Sequence, residues 1–90
     1  MSTHDSDPWC VYILRCSDNT LYTGITNNLD KRLQAHNDGA ADSAKYTRGR
    51  RPVALLYSEE RDSRADASRR EYEIKQLSRE NKLELIKNVY

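Results

Sequence analysis

The sequence predicts an α+β fold: a small three-stranded antiparallel sheet packed with helices, in the order β-β-α-β-α-α. Three observations predict it. Two β-favouring stretches, Trp9 to Cys16 and Leu21 to Thr26, are joined by only Ser17-Asp18-Asn19, too short a link for a parallel crossover. A third such stretch follows Pro52. The remaining segments open on capping residues and repeat apolar side chains at helical spacing.

The turn decides the register of the first two strands. A two-residue loop would pair Cys16 with Leu21 and put Tyr12 and Tyr22 on opposite faces. A three-residue loop, with Asn19 in the left-handed region, pairs Cys16 with Thr20, Tyr12 with Gly24 and Leu14 with Tyr22. Asparagine tolerates that backbone region better than most residues, which favours the second register and brings both tyrosines to one side. Asn28 is placed to cap a helix from Leu29 to about Asp38, with Asp30 in its first turn and Gly39 to end it. Leu29 and Leu33 define its buried stripe, and Arg32 and His36 fall within about 60° to one side of Leu29. Ala40 to Arg51 reads as a connection of small, then basic, residues. Proline suits the start of a strand, so Pro52 introduces one over Val53 to Ser58. Ser63 with Asp66 caps a helix from Arg64 to Leu77, whose apolar stripe is Ala67, Ile74 and Leu77. Glu71 lies about 60° from Ile74, at the border of that stripe. Ser78 caps a last helix with Leu83 and Ile86 inward.

Ninety residues make one domain, expected over 9–90, behind a polar, frayed tail over 1–8. Hydrophobic residues are 37% and charged residues 32% of the chain, so the core is small. No apolar run is long enough for a membrane span, and no basic-then-apolar leader opens the sequence as given; both point to the cytoplasm. Cys10 and Cys16 on one strand would stand roughly 20 Å apart, beyond disulfide reach. Both read as reduced and half-buried, and no zinc-ligand spacing is present. The net charge is +1, but its distribution is uneven. Lys45, Arg48, Arg50 and Arg51 form a run free of acids, a local basic patch.

Cys10-Val11-Tyr12, Tyr22-Thr23-Gly24, Arg32, His36 and Glu71 together form a series that resembles the GIY-YIG nuclease domain from about Trp9 to Leu85. Lys45-Tyr46-Thr47, with Arg50 and Pro52, is similar to the loop before the third strand in small stand-alone bacterial members. The resemblance implies a Mg²⁺- or Mn²⁺-dependent endonuclease acting on DNA in repair or processing. It implies Tyr12, Tyr22, Arg32, His36 and Glu71 as the catalytic set. Glu71 would be the one protein ligand of the metal, with waters and phosphate completing the octahedron. Arg32 would clamp phosphate oxygens through its planar fork. One tyrosine would contact the attacking water and the other the phosphate. Gly24 would let the backbone approach the substrate, and Lys45, Tyr46, Thr47, Arg48, Arg50 and Arg51 would bind nucleic acid. No separate DNA-reading domain accompanies the motifs, so the expected preference is for structured, nicked or single-stranded DNA, with a protein partner supplying targeting.

Each residue has a plainer explanation. A strand tyrosine packs, Arg32 lies along its helix, His36 is a hydrogen-bonded structural residue, and Glu71 pairs with Lys75. The chain also departs from the pattern. Cys10 replaces the first-motif glycine, Thr23 stands mid-motif, and Ile25 stands where some relatives carry a lysine. Leu83 stands where many carry a late asparagine, with Asn81 and Asn88 nearby. The rival readings are a nucleic-acid-binding module that cleaves slowly or not at all, and an adaptor whose basic loop docks an acidic protein.

Overall fold

The computed structural model describes residues 8–39 and 45–87. The expected tail, apart from exposed Pro8, lies outside the described residues, as do residues 40–44 and Asn88. The described elements are β1 (Trp9–Arg15), β2 (Leu21–Thr26), α1 (Leu29–Asp38), α2 (Lys45–Arg48), β3 (Ala54–Arg61), α3 (Arg64–Lys75) and α4 (Arg79–Lys87).

The sheet is antiparallel with order β2-β1-β3. Its hairpin uses the three-residue turn. Asn19 has φ 69°, and the Cys16 and Thr20 backbones meet at 2.8 Å. Tyr12 consequently faces Gly24 and Leu14 faces Tyr22. Asp18 braces the turn by accepting from the Thr20 amide and hydroxyl.

β1 is central, which explains five consecutive buried residues from Cys10 to Leu14. Its side chains alternate between two cores. Tyr12, Leu14 and Cys16 pack with Tyr22, Val53 and the α1 residues Leu29 and Leu33. Val11 and Ile13 pack with Ala67 and Ile74 of α3, flanked by Leu85 and Ile86 of α4. The sheet is therefore covered on both faces, α1 on one side and α3 with α4 on the other. Cys10 and Cys16 are both free thiols, buried rather than half-buried. Among the described residues no helix is long and apolar enough to cross a membrane.

α1 begins and ends as its caps require. The Asn28 side chain accepts from the Lys31 amide, and Gly39 sits at φ 67° in the left-handed region. α3 ends at Lys75 rather than Leu77, and three further details differ from the sequence reading. β3 starts at Ala54 and runs on to Arg61, because β1 is long enough to pair Cys10 with Glu60 and Trp9 with Arg61. Its charged end is held by ion pairs: Glu59 with Arg61 and Arg70, and Asp66 with Arg61 and Arg69. Val53 is instead clamped by Asn37, whose side-chain amide accepts from its N–H at 2.7 Å and donates to its carbonyl at 3.2 Å. Second, the basic connection contains a one-turn helix, α2. Third, α4 turns Leu85 and Ile86 inward and leaves Leu83 exposed.

A candidate active site at the edge of the sheet

Tyr12 stands on the central strand with its ring lying across the edge strand at Gly24. A Cβ on Gly24 would meet the Tyr12 hydroxyl oxygen at 2.6 Å, Cζ at 2.7 Å and Tyr22 Cε2 at 3.0 Å. The missing side chain is thus filled by the Tyr12 phenol. This replaces the expectation that glycine leaves room there for substrate.

α1 covers this face and delivers Arg32 and His36, one helical turn apart, to the two tyrosines. The ring centroids of Tyr12 and Tyr22 are 6.3 Å apart, those of Tyr12 and His36 5.9 Å, and those of Tyr22 and His36 5.4 Å. His36 Nε2 lies 2.9 Å from the Tyr12 hydroxyl, and Nδ1 lies 2.7 Å from the Thr47 hydroxyl. Arg32 hydrogen-bonds the Tyr12 hydroxyl as well. Glu71 comes from the opposite layer. Arg70, on one flank of the Ala67–Ile74 stripe, binds Glu59 of β3 at 3.0 Å. Glu71 lies on the other flank, about 100° round the helix, and so leans towards β2. Its charge acts on the Tyr12 hydroxyl. Its carboxylate also pairs with Lys75 at 3.2 Å, one turn along α3.

Burial dominates the electrostatics. It pushes the Tyr12 phenol up to about 12, against the opposing pull of the Arg32 hydrogen bond. It also pulls His36 down to about 4, and the Arg32 charge adds to the effect. His36 is therefore neutral at pH 7. A histidine with a depressed folded pKa contributes stability that is complete above its unfolded value, near 6.5, and is lost as pH falls towards 4. By pH 5 the loss is about 2 kcal/mol, or roughly 10 °C in melting temperature for a domain of this size. Melting curves at pH 7 and pH 5 test this: the wild type should show the drop and His36→Gln should lack it. Asp66, also depressed, titrates below its ordinary value of 3.8 and leaves that window clear.

Three expected site residues lie below the surface, and Tyr12 among them is only 1% exposed. His36 and Thr47 are both fully buried. Thr47 and His36 thus have no surface of their own for contact with nucleic acid, and His36 is hydrogen-bonded to the Tyr12 hydroxyl. The rest of the basic loop is a strap tied across this face. Tyr46 stacks on Tyr22 at 5.9 Å, and the Arg50 guanidinium covers its ring at 4.0 Å. Tyr46 is thus held in place on this face yet remains exposed. Arg50 also binds Asp18 at 3.0 Å and the Tyr46 carbonyl at 2.9 Å. Arg51 donates to the Arg48 and Asn37 carbonyls. Lys45, Arg48 and Arg51 remain exposed, so the patch keeps positive surface. Asn37, Asp18 and the inner role of Thr47 were not legible in the sequence, because each acts on a residue eleven or more positions away.

Of the departures from the motif, Cys10 shares the Tyr12 face of β1 and is buried, while the others fall on the other face or in solvent. Ile25 packs in the α3 core. Thr23 is buried, and its hydroxyl has no hydrogen-bond partner among the described residues. Leu83 and Asn81 are exposed on α4.

Comparison with known proteins places this geometry. The model of the GIY-YIG catalytic domain matches residues 8–84. The UPF0213 protein CPE1444 of Clostridium perfringens is 58% identical over 76 residues, covering 84% of this chain and 80% of its own. A UPF0213 protein of Halobacterium salinarum, VNG_2274C, is 56% identical over 72 residues, covering 80% and 91%. The solution NMR structure of the UPF0213 protein BH0048 from Bacillus halodurans superposes with a TM-score of 0.56 at 44% identity, covering 88% of this chain and 82% of that one. That of EF2693 from E. faecalis gives 0.57 at 31%, covering 87% and 82%. The chain therefore belongs to the GIY-YIG catalytic domain family, a family of nucleases.

Proposed function

We propose that this protein is a divalent-metal-dependent endonuclease that hydrolyses DNA phosphodiester bonds in repair or processing, with Tyr12, Tyr22, Arg32 and Glu71 acting on the substrate and His36 acting through Tyr12. The observation that carries the reading is the convergence on one hydroxyl: Tyr12 is hydrogen-bonded by His36 and Arg32 and feels the charge of Glu71 from the opposite layer. A structural tyrosine needs only one such partner.

The residues fit a Mg²⁺ or Mn²⁺ ion. Glu71 offers hard oxygen donors on a side chain 24% exposed, and its partner Lys75 is half exposed, so the pair is weak and readily displaced. Among the described residues no group of three or more metal-ligating side chains exists; in this reading Glu71 would hold the ion. Bound there, the ion supplies charge neutralisation at the phosphate and acidifies water. The chain's own residues do the rest. Arg32 presents a fixed positive charge to the phosphate and stabilises a negative Tyr12 oxygen. Tyr12 enters the reaction as a neutral phenol, since burial holds it far above neutral pH. Tyr22, half-buried beside it, presents the second hydroxyl. Neutral His36 places no competing positive charge in the site.

The basic strap supports DNA as the substrate, with structure preferred over sequence because its cations contact phosphates. Replacing Arg48, Arg50 and Arg51 together by alanine should weaken binding and lower the slope of log K against log salt by about one unit per lost phosphate contact. Because Arg50 and Arg51 also tie the strap, a melting curve on the same variant separates lost charge from lost structure. Unchanged affinity and slope would remove the strap from the interface.

The second reading is a binding module that cleaves slowly. It is favoured by exposed Leu83 at the position of the late asparagine. Incubation with plasmid, nicked duplex, branched and single-stranded oligonucleotides, with and without Mg²⁺, decides between them. Metal-dependent cleavage supports the enzyme. Salt-sensitive binding without cleavage on any substrate supports the module.

A further inference from the structure

At the turn end of the sheet a cleft of about 390 Å³ opens between the β1–β2 hairpin and the entry to β3. Arg15, Ser17 and Asn19 lie on one side of it and Pro52, Val53 and Ala54 on the other. Arg15 is the last residue of the central strand, paired with Leu21 and with Ala54, so its backbone is fixed from both sides. Its side chain is exposed and has no ion pair or hydrogen bond among the described residues. The Ser17 hydroxyl and the Asn19 side-chain amide are exposed and equally uncommitted there. No carboxylate lines the cleft. Asp18, between those two residues, is taken up by Arg50 and Thr20. The cleft thus offers one cation and two neutral donors with no opposing charge, which suits an anion.

We propose that this cleft is a second phosphate site for the DNA strand, in which Arg15 binds a backbone phosphate beyond the one at the candidate active site. Continuity with the strap favours a strand over a small free anion. The Ser17 amide donates to the Arg50 carbonyl at 2.9 Å, which fixes the strap against the hairpin beside the cleft. Arg51 immediately precedes Pro52, so the cations of the strap lead from Tyr22 into the cleft. A small anion is held by buried donors closing round it, whereas these donors stand exposed along an open wall. The spacing suits a strand as well. Arg15 is three residues from Tyr12 along β1, roughly 10 Å. A DNA strand advances about 3.4 Å per nucleotide, so the phosphate in the cleft is about three nucleotides from the scissile one. The inference rests on reading DNA as the ligand; it does not require that the protein cleave it.

The test is a binding titration with fluorescent oligothymidylates of increasing length, without metal so that none is cut. Arg15→Gln should bind the shortest strands as the wild type does. On strands long enough to reach the cleft it should lose about three- to tenfold in affinity, and the slope of log K against log salt should fall by about 0.7. Arg15→Lys should keep the slope, because it keeps the charge. Inorganic phosphate should displace the long strand only at far higher concentration than a second strand does. A loss that is equal at every length, or absent at every length, would overturn the proposal. So would displacement by inorganic phosphate at a concentration comparable to that of the strand, which would make the cleft a small-anion site. Equal binding by wild type and Arg15→Gln, with metal-dependent cleavage intact, would remove the cleft and leave the nuclease reading standing. Length-dependent loss in the variant, with no cleavage of any substrate, would support the cleft and sink the nuclease reading. A wild type that binds no strand would overturn both.

Discussion

Glu71→Gln should lower Mg²⁺-dependent cleavage by about a thousandfold or more, roughly 4 kcal/mol of transition-state stabilisation, while the protein stays folded. Glutamine keeps the shape and hydrogen-bonding reach of the side chain and removes its charge, which is what a lone metal-binding carboxylate supplies. The competing role is visible in the structure: Glu71 pairs with Lys75 at 3.2 Å along α3. Such an i,i+4 pair contributes only about 0.3–0.5 kcal/mol, and the half-exposed lysine reduces it further. The structural role therefore predicts a melting temperature lowered by a few degrees at most and cleavage untouched. The two roles separate in one pair of measurements, a melting curve and a cleavage assay on both proteins. Binding of DNA without metal gives a third readout. It should persist or tighten in the variant, because a negative charge facing the phosphate is gone. Equal cleavage by the two proteins would end the single-carboxylate hypothesis for this chain.

Local signals made much of this architecture readable. Asn19 in a three-residue turn set the hairpin register, and with it the shared face of Tyr12 and Tyr22. Asn28 and Gly39 bounded α1 because caps act over one turn of chain. What the sequence concealed depends on distant partners. β3 runs on to Arg61 because β1 offers backbone partners there and Arg61, Arg70 and Asp66 neutralise its charges. Nothing within Glu59-Glu60-Arg61 announces a strand. α2 is too short to carry a helical period. The stripe of α4 lies to one side of the expected one through Leu83. Leu83 and Leu85 both fit a short apolar repeat, and only the packing against Val11 and Ile13 selects Leu85.

The site shows the same division. Arg32 and His36 share a helix face with the buried stripe, so their approach to the sheet followed from periodicity. The burial of His36 did not, since it depends on Thr47 closing over it from a strap eleven residues away. The arginines of that strap read as free cations in the sequence. In the fold Arg50 is held by Asp18 and Tyr46, and Arg51 by carbonyls of α1 and α2. Charge alone could suggest a nucleic-acid surface, but not that the same side chains also fasten the lid of the buried histidine.

Gly24→Ala should destabilise the protein by about 1–3 kcal/mol and also reduce cleavage by at least about a hundredfold. The cause is steric. The new methyl would stand 2.6 Å from the Tyr12 hydroxyl oxygen and 2.7 Å from Cζ, closer than carbon and these atoms tolerate. Tyr12 is a side chain and in principle able to give way, but here it has nowhere to go. It is 1% exposed, and its hydroxyl is held by His36 and Arg32. Relief must come by moving the hydroxyl off those partners, which disturbs the group on which the proposed chemistry converges. A double-mutant cycle isolates this contact. In a Tyr12→Leu background the phenol is gone, and the alanine methyl should enter the vacated space at little further cost in stability. Thermal melts of the four proteins give the coupling energy, and cleavage by the Gly24→Ala single variant gives the functional effect. If the alanine costs as much in the Tyr12→Leu background as it does beside the native tyrosine, the glycine serves the strand backbone rather than the phenol. The Tyr12–Gly24 contact would then cease to be the feature that carries the phenol across the edge strand.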